Sequence, residues 1–239
     1  MIKEPTAAKL HAADGLRTGF PILVGYFPVA IAFGLLAKSA TLTFCGSLSF
    51  SVFVFAGASQ FMAINLLKTG VAVGEIVIAT LLLNFRHLLM SASLAARLTE
   101  KRRGLLPLVA FGVTDETFAV AATQEGALSI PYLLALELTA YSGWVSGTAV
   151  GYLIGGILPP LVQASLGIGL YAMFVALLVP QCKKALSAAA LALGAGLLNA
   201  VLAAGKVLPG GWNLVAAMVI MALAGALFCK ADGTGEEEA

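Results

Sequence analysis

Residues 185–204 read ALSAAALALGAGLLNAVLAA, a run of 20 residues without a charged side chain. About 20 consecutive apolar residues in a helix are what one crossing of a bilayer requires. Seven more apolar runs, each bounded by polar or charged residues, occupy most of the remaining chain. The eight predicted segments are residues 19–37, 47–67, 71–89, 105–122, 131–154, 165–179, 185–204 and 212–228.

The composition supports a membrane protein. Of the 239 residues, 60% are apolar and 11% are charged, whereas a soluble domain is nearer half apolar and a quarter charged. The net charge is +2, and the three cysteines have no metal-ligand spacing with either histidine. We therefore predict an all-α, polytopic integral membrane helical bundle of about 7–8 hydrophobic segments, without metal or cofactor. A soluble enzyme, a nucleic-acid-binding protein and a secreted disulfide scaffold are excluded.

Basic residues in the connection at 97–103 should mark the cytoplasmic side, because short cytoplasmic loops are enriched in Lys and Arg. Eight simple crossings from a cytoplasmic N-terminus would place this connection outside. We therefore expect a segment before it, and another after it, to be re-entrant or broken at mid-membrane. Residues 1–18 would then form a polar cytoplasmic N-terminus, 19–230 the transmembrane domain, and 231–239 an acidic tail.

Polar residues inside apolar segments are informative because they usually face a cavity or a partner. The second segment contains Ala-Gly-Ala-Ser-Gln-Phe at 56–61. Its small residues allow close helix approach, and Ser59 and Gln60 offer hydrogen-bond donors and acceptors where water is absent. The same pattern is typical of simple helix–helix packing, so both interpretations stay open here.

The third segment contains Asn-Phe-Arg-His at 84–87, with apolar residues on both sides. A guanidinium is a planar fork that matches a carboxylate, which makes Arg86 a candidate anion ligand. Asn84 and His87 share one helix face, and a histidine titrates near neutral pH. The alternative is that the helix ends near Leu83, so that Arg86 lies beyond its end and extends its guanidinium to the membrane–water interface.

The fourth segment is interrupted by Thr-Asp-Glu-Thr-Phe at 114–118. Burying both Asp115 and Glu116 without partners is costly, so each needs a cation, a bound ammonium group or a proton. A short loop outside the membrane is one interpretation. Since neither flank is long enough to span alone, a break within one spanning segment is favoured. A weaker polar stripe follows one face of the fifth segment: Glu137, Tyr141 and Trp144.

Taken together, these stretches resemble the AzlC family. Three polar motifs of that family match AGASQF at 56–61, LNFRHLL at 83–89 and TDETFAV at 114–120. The opening GFPILVGYFPVAIAFG at 19–34, WVSGT at 144–148 and AMFVALLVP at 172–180 fit the family as well. The resemblance covers nearly the whole chain, in the family's order and at its length.

The resemblance implies a permease that exports branched-chain amino acids (valine, leucine or isoleucine, with methionine a further candidate), coupled to an ion or a proton. It also implies the cytoplasmic membrane of a bacterium or archaeon, a small AzlD-type membrane subunit as partner, and no enzymatic activity. Two other classes stay open. One is a non-transporting membrane scaffold or small-ion channel, in which Arg86, Asp115 and Glu116 form an internal ion network. The other is an intramembrane hydrolase that uses Ser146 and His87.

A zwitterionic amino acid needs a cation for its carboxylate and an acceptor for its ammonium group. Arg86 is predicted to hold the carboxylate, helped by the polar side chains at 59–60 and by backbone N–H groups at a helix break. Asp115 and Glu116 are predicted to receive the ammonium group or to exchange a proton, with His87 as a relay. The full predicted substrate-binding set is Ser59, Gln60, Asn84, Arg86, His87, Asp115, Glu116 and Thr117.

Overall fold

A computed structural model describes most of the chain. The described residues are 10–98, 103–124, 126–155, 161, 175, 178–179, 182–183, 185–205 and 212–228. Most of the sixth predicted segment, 165–179, lies outside these residues, as does the acidic tail 231–239. The proposed division at 1–18, 19–230 and 231–239 therefore stays a prediction.

The described part of the chain is helical, and the predicted all-α fold class is confirmed. Its helices are α1 (Ala12–Ser39), α2 (Phe44–Phe53), α3 (Gly57–Lys68), α4 (Val73–Ala96), α5 (Leu106–Gly112), α6 (Asp115–Ala122), α7 (Ile130–Ile154), α8 (Leu186–Ala204) and α9 (Trp212–Phe228). Three of them, α1, α4 and α8, are long and apolar enough to cross a membrane. Pairing of β type is limited, within these residues, to one isolated bridge between Leu98 and Leu128.

Helices α1 and α7 pack against each other along most of their length and form the centre of the bundle. Small residues make this contact: Gly143, Gly147 and Gly151 occupy every fourth position of α7. A Cβ atom on Gly147 would lie 2.6 Å from the carbonyl oxygen of Phe27, so no larger residue fits there. Such close backbone approach gains van der Waals contact, one of the forces that associate helices inside a bilayer.

Two of the predicted segments are broken, as their polar motifs suggested. The predicted segment 47–67 divides into α2 and α3, and we call the intervening residues 54–56 the first break. The predicted segment 105–122 divides into α5 and α6, and we call residues 113–114 the second break. One break precedes the basic connection and the other follows it. The side of the membrane on which that connection lies stays a prediction.

Helix α4 decides an alternative left open by the sequence. It runs without interruption from Val73 to Ala96, so the interpretation that ends it near Leu83 is wrong. The predicted segment 71–89 is also too short. Residues 90–96 read MSASLAA, in which Met, Leu and Ala are favourable helix formers, so the helix continues. Arg86 therefore belongs to the interior of a long helix and not to its end.

Arg97, immediately after α4, ties the end of that helix to the end of α6. Its guanidinium donates to the carbonyl oxygens of Ala122 and Gly126, both at 2.9 Å, and also to that of Gln124. A cation at the C-terminal end of a helix is favourable because it meets unpaired carbonyl groups there. The basic residue that we took as a topology signal thus also has a structural role.

Helices α8 and α9 form a separate pair at the end of the described chain. They pack against each other, with Gly194 facing the Met221 side chain and Gly225 facing Leu191. None of the residues of α8 is buried. The apolar faces of this pair are therefore left for lipid or for another protein to cover.

Candidate functional site

A small cavity lies where the two breaks meet α4. The start of α3, the start of α6 and one face of α4 form its walls, and aromatic side chains from α1 and α7 close it. We call it the central cavity. Its lining residues are Tyr26, Phe55, Ala56, Gly57, Ala58, Arg86, His87, Thr114, Asp115, Glu116 and Trp144.

An ion pair joins two walls of the central cavity. Arg86 Nη1 lies 2.8 Å from Asp115 Oδ2, which connects α4 to the first turn of α6. The two side chains are 38% and 28% exposed, so neither is sealed inside the protein. The Arg86 Nε atom, in contrast, is buried, and no described residue offers it a hydrogen-bond acceptor. The guanidinium therefore has donor capacity left for a second carboxylate.

The second break is capped by its own side chains. Thr114 is the N-cap of α6: its Oγ1 accepts from the N–H of Thr117 at 3.3 Å, and its N–H donates to Thr117 Oγ1 at 2.8 Å. The hydroxyl of Tyr26 lies 2.7 Å from Thr114 Oγ1 and also contacts a carboxylate oxygen of Glu116. Asp115 and Glu116 occupy the first turn, where the helix dipole favours negative charge. This break presents carboxylates to the cavity.

At the first break, the start of α3 has no capping side chain. Helix α3 begins at Gly57, and its N-cap residue Ala56 has no side chain that can accept from the backbone. Among the described residues, no acceptor contacts the N–H groups of Gly57 and Ala58. Both residues line the central cavity beside Arg86. Unpaired N–H groups at a helix start attract anions, so this break presents a positive potential to the same cavity.

Gln60 stabilises the backbone at the first break through hydrogen bonds. Its Nε2 donates to the carbonyl oxygens of Phe50 at 2.9 Å and Val54 at 2.7 Å, at the end of α2. Its Oε1 accepts from the indole N–H of Trp144 at 2.8 Å. A Cβ atom on Gly57 would lie 2.6 Å from the Trp144 ring, so glycine is needed for this close approach. One fully buried amide thus fixes both the end of α2 and the aromatic floor of the cavity.

The central cavity is small and has charges of opposite sign on its walls. Its volume is about 20 Å³, which is room for about one water molecule and too little for an amino acid. Arg86 and the start of α3 form the positive side, and Asp115 and Glu116 form the negative side. Among the described residues, no three His, Cys, Asp or Glu side chains gather as metal ligands. The arrangement is suited to a ligand that carries both charges, once the walls move apart.

The region that contains both breaks and the ion pair matches a known family. The sequence profile of the AzlC protein covers residues 21–158, more than half of the chain. The chain belongs to the AzlC family. The resemblance drawn from the three polar motifs is confirmed.

Relatives of this AzlC-family chain occur in bacteria and archaea. An uncharacterised membrane protein of Archaeoglobus fulgidus is 38% identical over 192 residues, which cover 77% of this chain and 84% of the relative. The inner membrane protein YgaZ of Escherichia coli is 32% identical over 202 residues, 80% of this chain and 82% of the relative. The branched-chain amino acid transport protein AzlC of Bacillus subtilis is 26% identical over 167 residues, 69% and 65% of the two chains. These names agree with the predicted cytoplasmic-membrane location. No solved structure matches the chain.

The structure separates the predicted substrate-binding residues of this chain into two groups. Those that line the central cavity are Arg86, His87, Asp115 and Glu116. The other four lie behind its walls. Asn84 donates to Ser59 Oγ at 3.0 Å, and Ser59 donates to the carbonyl oxygen of Ala56 at 2.9 Å. Gln60 holds the end of α2, and Thr117 belongs to the cap of α6. Their contacts make them supports of the walls.

Tyr26 is a site residue absent from the predicted set. It belongs to α1, far in sequence from Glu116, the acid that it contacts. One signal was available: a tyrosine in the middle of an apolar segment needs a partner for its hydroxyl. The pair expected for a hydrolase does not form, because Ser146 donates back to the carbonyl of Ser142 at 2.6 Å and does not line the cavity with His87.

Proposed function

We propose that this AzlC-family chain is a transporter that exports branched-chain amino acids across the cytoplasmic membrane. The observation that carries the proposal is the Arg86–Asp115 ion pair, set between an open helix start and a carboxylate-bearing one. The name of the Bacillus subtilis relative supplies the substrate class. The ends of an amino acid and the walls of the central cavity are complementary in charge.

In this mechanism the substrate replaces the ion pair. Its carboxylate binds the guanidinium of Arg86 and the free N–H groups of Gly57 and Ala58. Its ammonium group binds Asp115, with the Glu116 carboxylate next to it. Each charged wall thus exchanges a protein partner for a substrate partner, and no buried charge is left unpaired at the end.

The apolar part of the substrate would contact aromatic side chains. Phe55 and Trp144 line the central cavity beside the charged groups. Each CH₂ group buried against such a surface contributes about 0.8 kcal/mol, so valine is separated from alanine, whereas leucine and isoleucine are hardly separated. This predicts selectivity for a class of side chains and not for one amino acid.

A small AzlD-type membrane subunit is proposed as the partner. Exposed apolar side chains follow one face of α4 at Val77, Leu81, Phe85 and Leu88. Lipid covers such a face equally well, so co-purification from detergent extracts decides between the two. We also propose that export is coupled to an ion or a proton.

The second candidate function is a membrane scaffold or small-ion channel. It is favoured by the same ion pair, because the 2.8 Å contact between Arg86 and Asp115 directly connects α4 with α6. A double variant, Arg86→Asp with Asp115→Arg, restores such a contact with reversed polarity. Recovery of stability by this variant, with amino acid efflux absent from every form of the protein, would support the scaffold.

The decisive experiment is the efflux of labelled valine, leucine and methionine from preloaded cells. We expect the wild-type chain with its AzlD-type subunit to export them and Arg86→Ala to abolish export while inserting normally, because the substrate carboxylate loses its cation. Arg17→Ala is the matched control, since Arg17 is an exposed arginine of α1 outside the cavity. Normal export by Arg86→Ala would remove this residue from the site.

A further inference from the structure

A second cavity lies on the other side of α5, between that helix and α7. Its volume is about 370 Å³, far larger than the central cavity. We call it the lateral cavity. Apolar groups dominate its lining, which is Leu108, Phe111, Gly112, Leu134, Glu137, Leu138 and Tyr141. One carboxyl group, that of Glu137, is the exception.

The Glu137 carboxyl group is buried and has no hydrogen-bond partner in the described part of the chain. The residue is 3% exposed, and neither Oε1 nor Oε2 contacts a donor among the described residues. The titratable neighbour on its own helix is Tyr141, whose hydroxyl donates to the carbonyl oxygen of Val52 at 3.0 Å. The α5 residues that line the same cavity are all uncharged. An isolated carboxylate away from water is costly, and a bound proton removes that cost.

An aromatic wall separates Glu137 from the central cavity. The ring of Tyr141 lies 5.2 Å from that of Phe55 and 6.0 Å from that of Phe111, in edge-on geometry. Phe55 lines the central cavity, whereas Phe111 and Tyr141 line the lateral one. The polar stripe on α7 therefore runs from Glu137 in one cavity to Trp144 in the other. The two cavities are neighbours, but they hold different chemical groups.

Glu137 is also in contact with the backbone next to the second break. A Cβ atom on Gly112 would lie 2.5 Å from Glu137 Oε2, so the carboxyl group packs directly on the last residue of α5. The carbonyl oxygen of Gly112 accepts from Thr117 Oγ1 at 3.1 Å, and Thr117 belongs to the cap of α6. Any change around Glu137 that moves Gly112 therefore acts on the helix start that carries Asp115.

We propose that Glu137 is a proton-binding site and that its proton allows α5 to pack on α7. When the proton leaves, the carboxylate requires water or donors, which the packed Gly112 backbone does not provide. Helix α5 then moves away, and the start of α6 moves with it. The link to amino acid movement rests on the proposed function, whereas proton binding at Glu137 does not.

Chemical labelling tests proton binding directly. Dicyclohexylcarbodiimide is an apolar reagent that reacts with protonated carboxyl groups in apolar surroundings. The full-length protein, purified in detergent, is incubated with it between about pH 5 and about pH 9, and the adduct is located by peptide mass spectrometry. We expect an adduct on Glu137 whose yield falls by about tenfold per pH unit above the titration midpoint. Glu137→Gln should abolish it, and Glu75→Gln, the same change elsewhere, should retain it.

Two results would overturn proton exchange at this site. The first is the absence of a Glu137 adduct throughout the pH range, including the case in which Glu116 reacts instead. The second is a Glu137 yield that does not change with pH, which would indicate a permanently protonated structural group. Glu137→Asp keeps a carboxyl group at this position, so this variant, unlike Glu137→Gln, should still be labelled.

Transport in proteoliposomes that contain the chain and its AzlD-type subunit then tests the link to movement. Counterflow exchanges labelled for unlabelled valine without a proton gradient, so Glu137→Gln should retain counterflow and lose gradient-driven transport. Glu75→Gln should retain both. Gradient-driven transport by Glu137→Gln would overturn the link. Absence of counterflow in the wild type would instead contradict the proposed function, while the labelling result would still decide the proton site.

Discussion

The two breaks face the same cavity but are held together in different ways. The first break has no capping side chain and depends on Gln60, in the first turn of α3, and on Trp144 of α7. The second break is capped within its own motif, by Thr114 and Thr117. An uncapped helix start leaves N–H groups free for a ligand, whereas a capped one uses them internally.

The two breaks contribute opposite charge to the two sides of the central cavity. The free N–H groups of the first break add to the positive charge of Arg86 and prepare that side for an anion. The capped second break carries Asp115 and Glu116 and prepares its side for a cation. Similar breaks in two apolar segments can thus have opposite electrostatic roles: the first adds unpaired N–H groups to the charge of Arg86, and the second carries two carboxylates.

The strongest perturbation of the first break is Gln60→Leu. It removes the donor to the end of α2 and leaves the buried indole N–H of Trp144 without an acceptor, at a cost of about 1–3 kcal/mol. We expect a lower thermal unfolding temperature in detergent and lost transport. Gln124→Leu makes the same change at a half-buried position outside the breaks and should be much milder. Equal effects of both changes would contradict the special role of Gln60.

The second break is tested by Thr114→Val, which removes the N-cap hydroxyl at nearly constant shape. Loss of an N-cap destabilises by about 1 kcal/mol. Thr43→Val is the matched control, because Thr43 caps α2 in the same way but lies outside the central cavity. Both should lower the unfolding temperature, Thr114→Val by more because Thr114 is buried and also accepts from the Tyr26 hydroxyl, and only Thr114→Val should weaken transport. A transport defect of equal size in Thr43→Val would mean that stability alone is being measured.

The smallest effect is expected from Tyr26→Phe, which tests whether the Tyr26 hydroxyl influences substrate binding through Glu116. Without the tyrosine hydroxyl, Glu116 loses a hydrogen-bond donor but keeps its place in the first turn of α6. We expect a modest change in the apparent affinity for valine, measured by concentration-dependent efflux. Tyr152→Phe removes a hydroxyl that donates to the carbonyl of Leu42, away from the cavity, and should leave the affinity unchanged.

Both breaks were predictable because polar motifs interrupt apolar runs that are otherwise long enough to span. Arg86, Asp115 and Glu116 could be selected for the same reason, since charged groups in such runs need a partner. The pairing of Arg86 with Asp115 could not be predicted, because a bound ammonium group or a proton could equally have been the partner of Asp115. The sequence spacing between them contains no information on which helix faces meet.

The supporting residues were harder to predict. Ser59 and Gln60 are polar and adjacent, and both were selected as ligands, but α3 starts only a few residues earlier and turns both side chains behind the cavity wall. Tyr26 and Trp144 reach the cavity only because α1 and α7 pack closely through glycines. Those contacts join residues that are distant in sequence, so local patterns do not specify them.

The small volume of the central cavity has a consequence for binding affinity. Under the proposed function, a cavity of about 20 Å³ is too small for an amino acid, so the substrate would bind a wider form of the protein. If that form makes up about 1% of the molecules, the measured Kd is about a hundredfold higher than the Kd of the wider form itself. Substitutions that favour the wider form would therefore tighten apparent binding without touching the substrate.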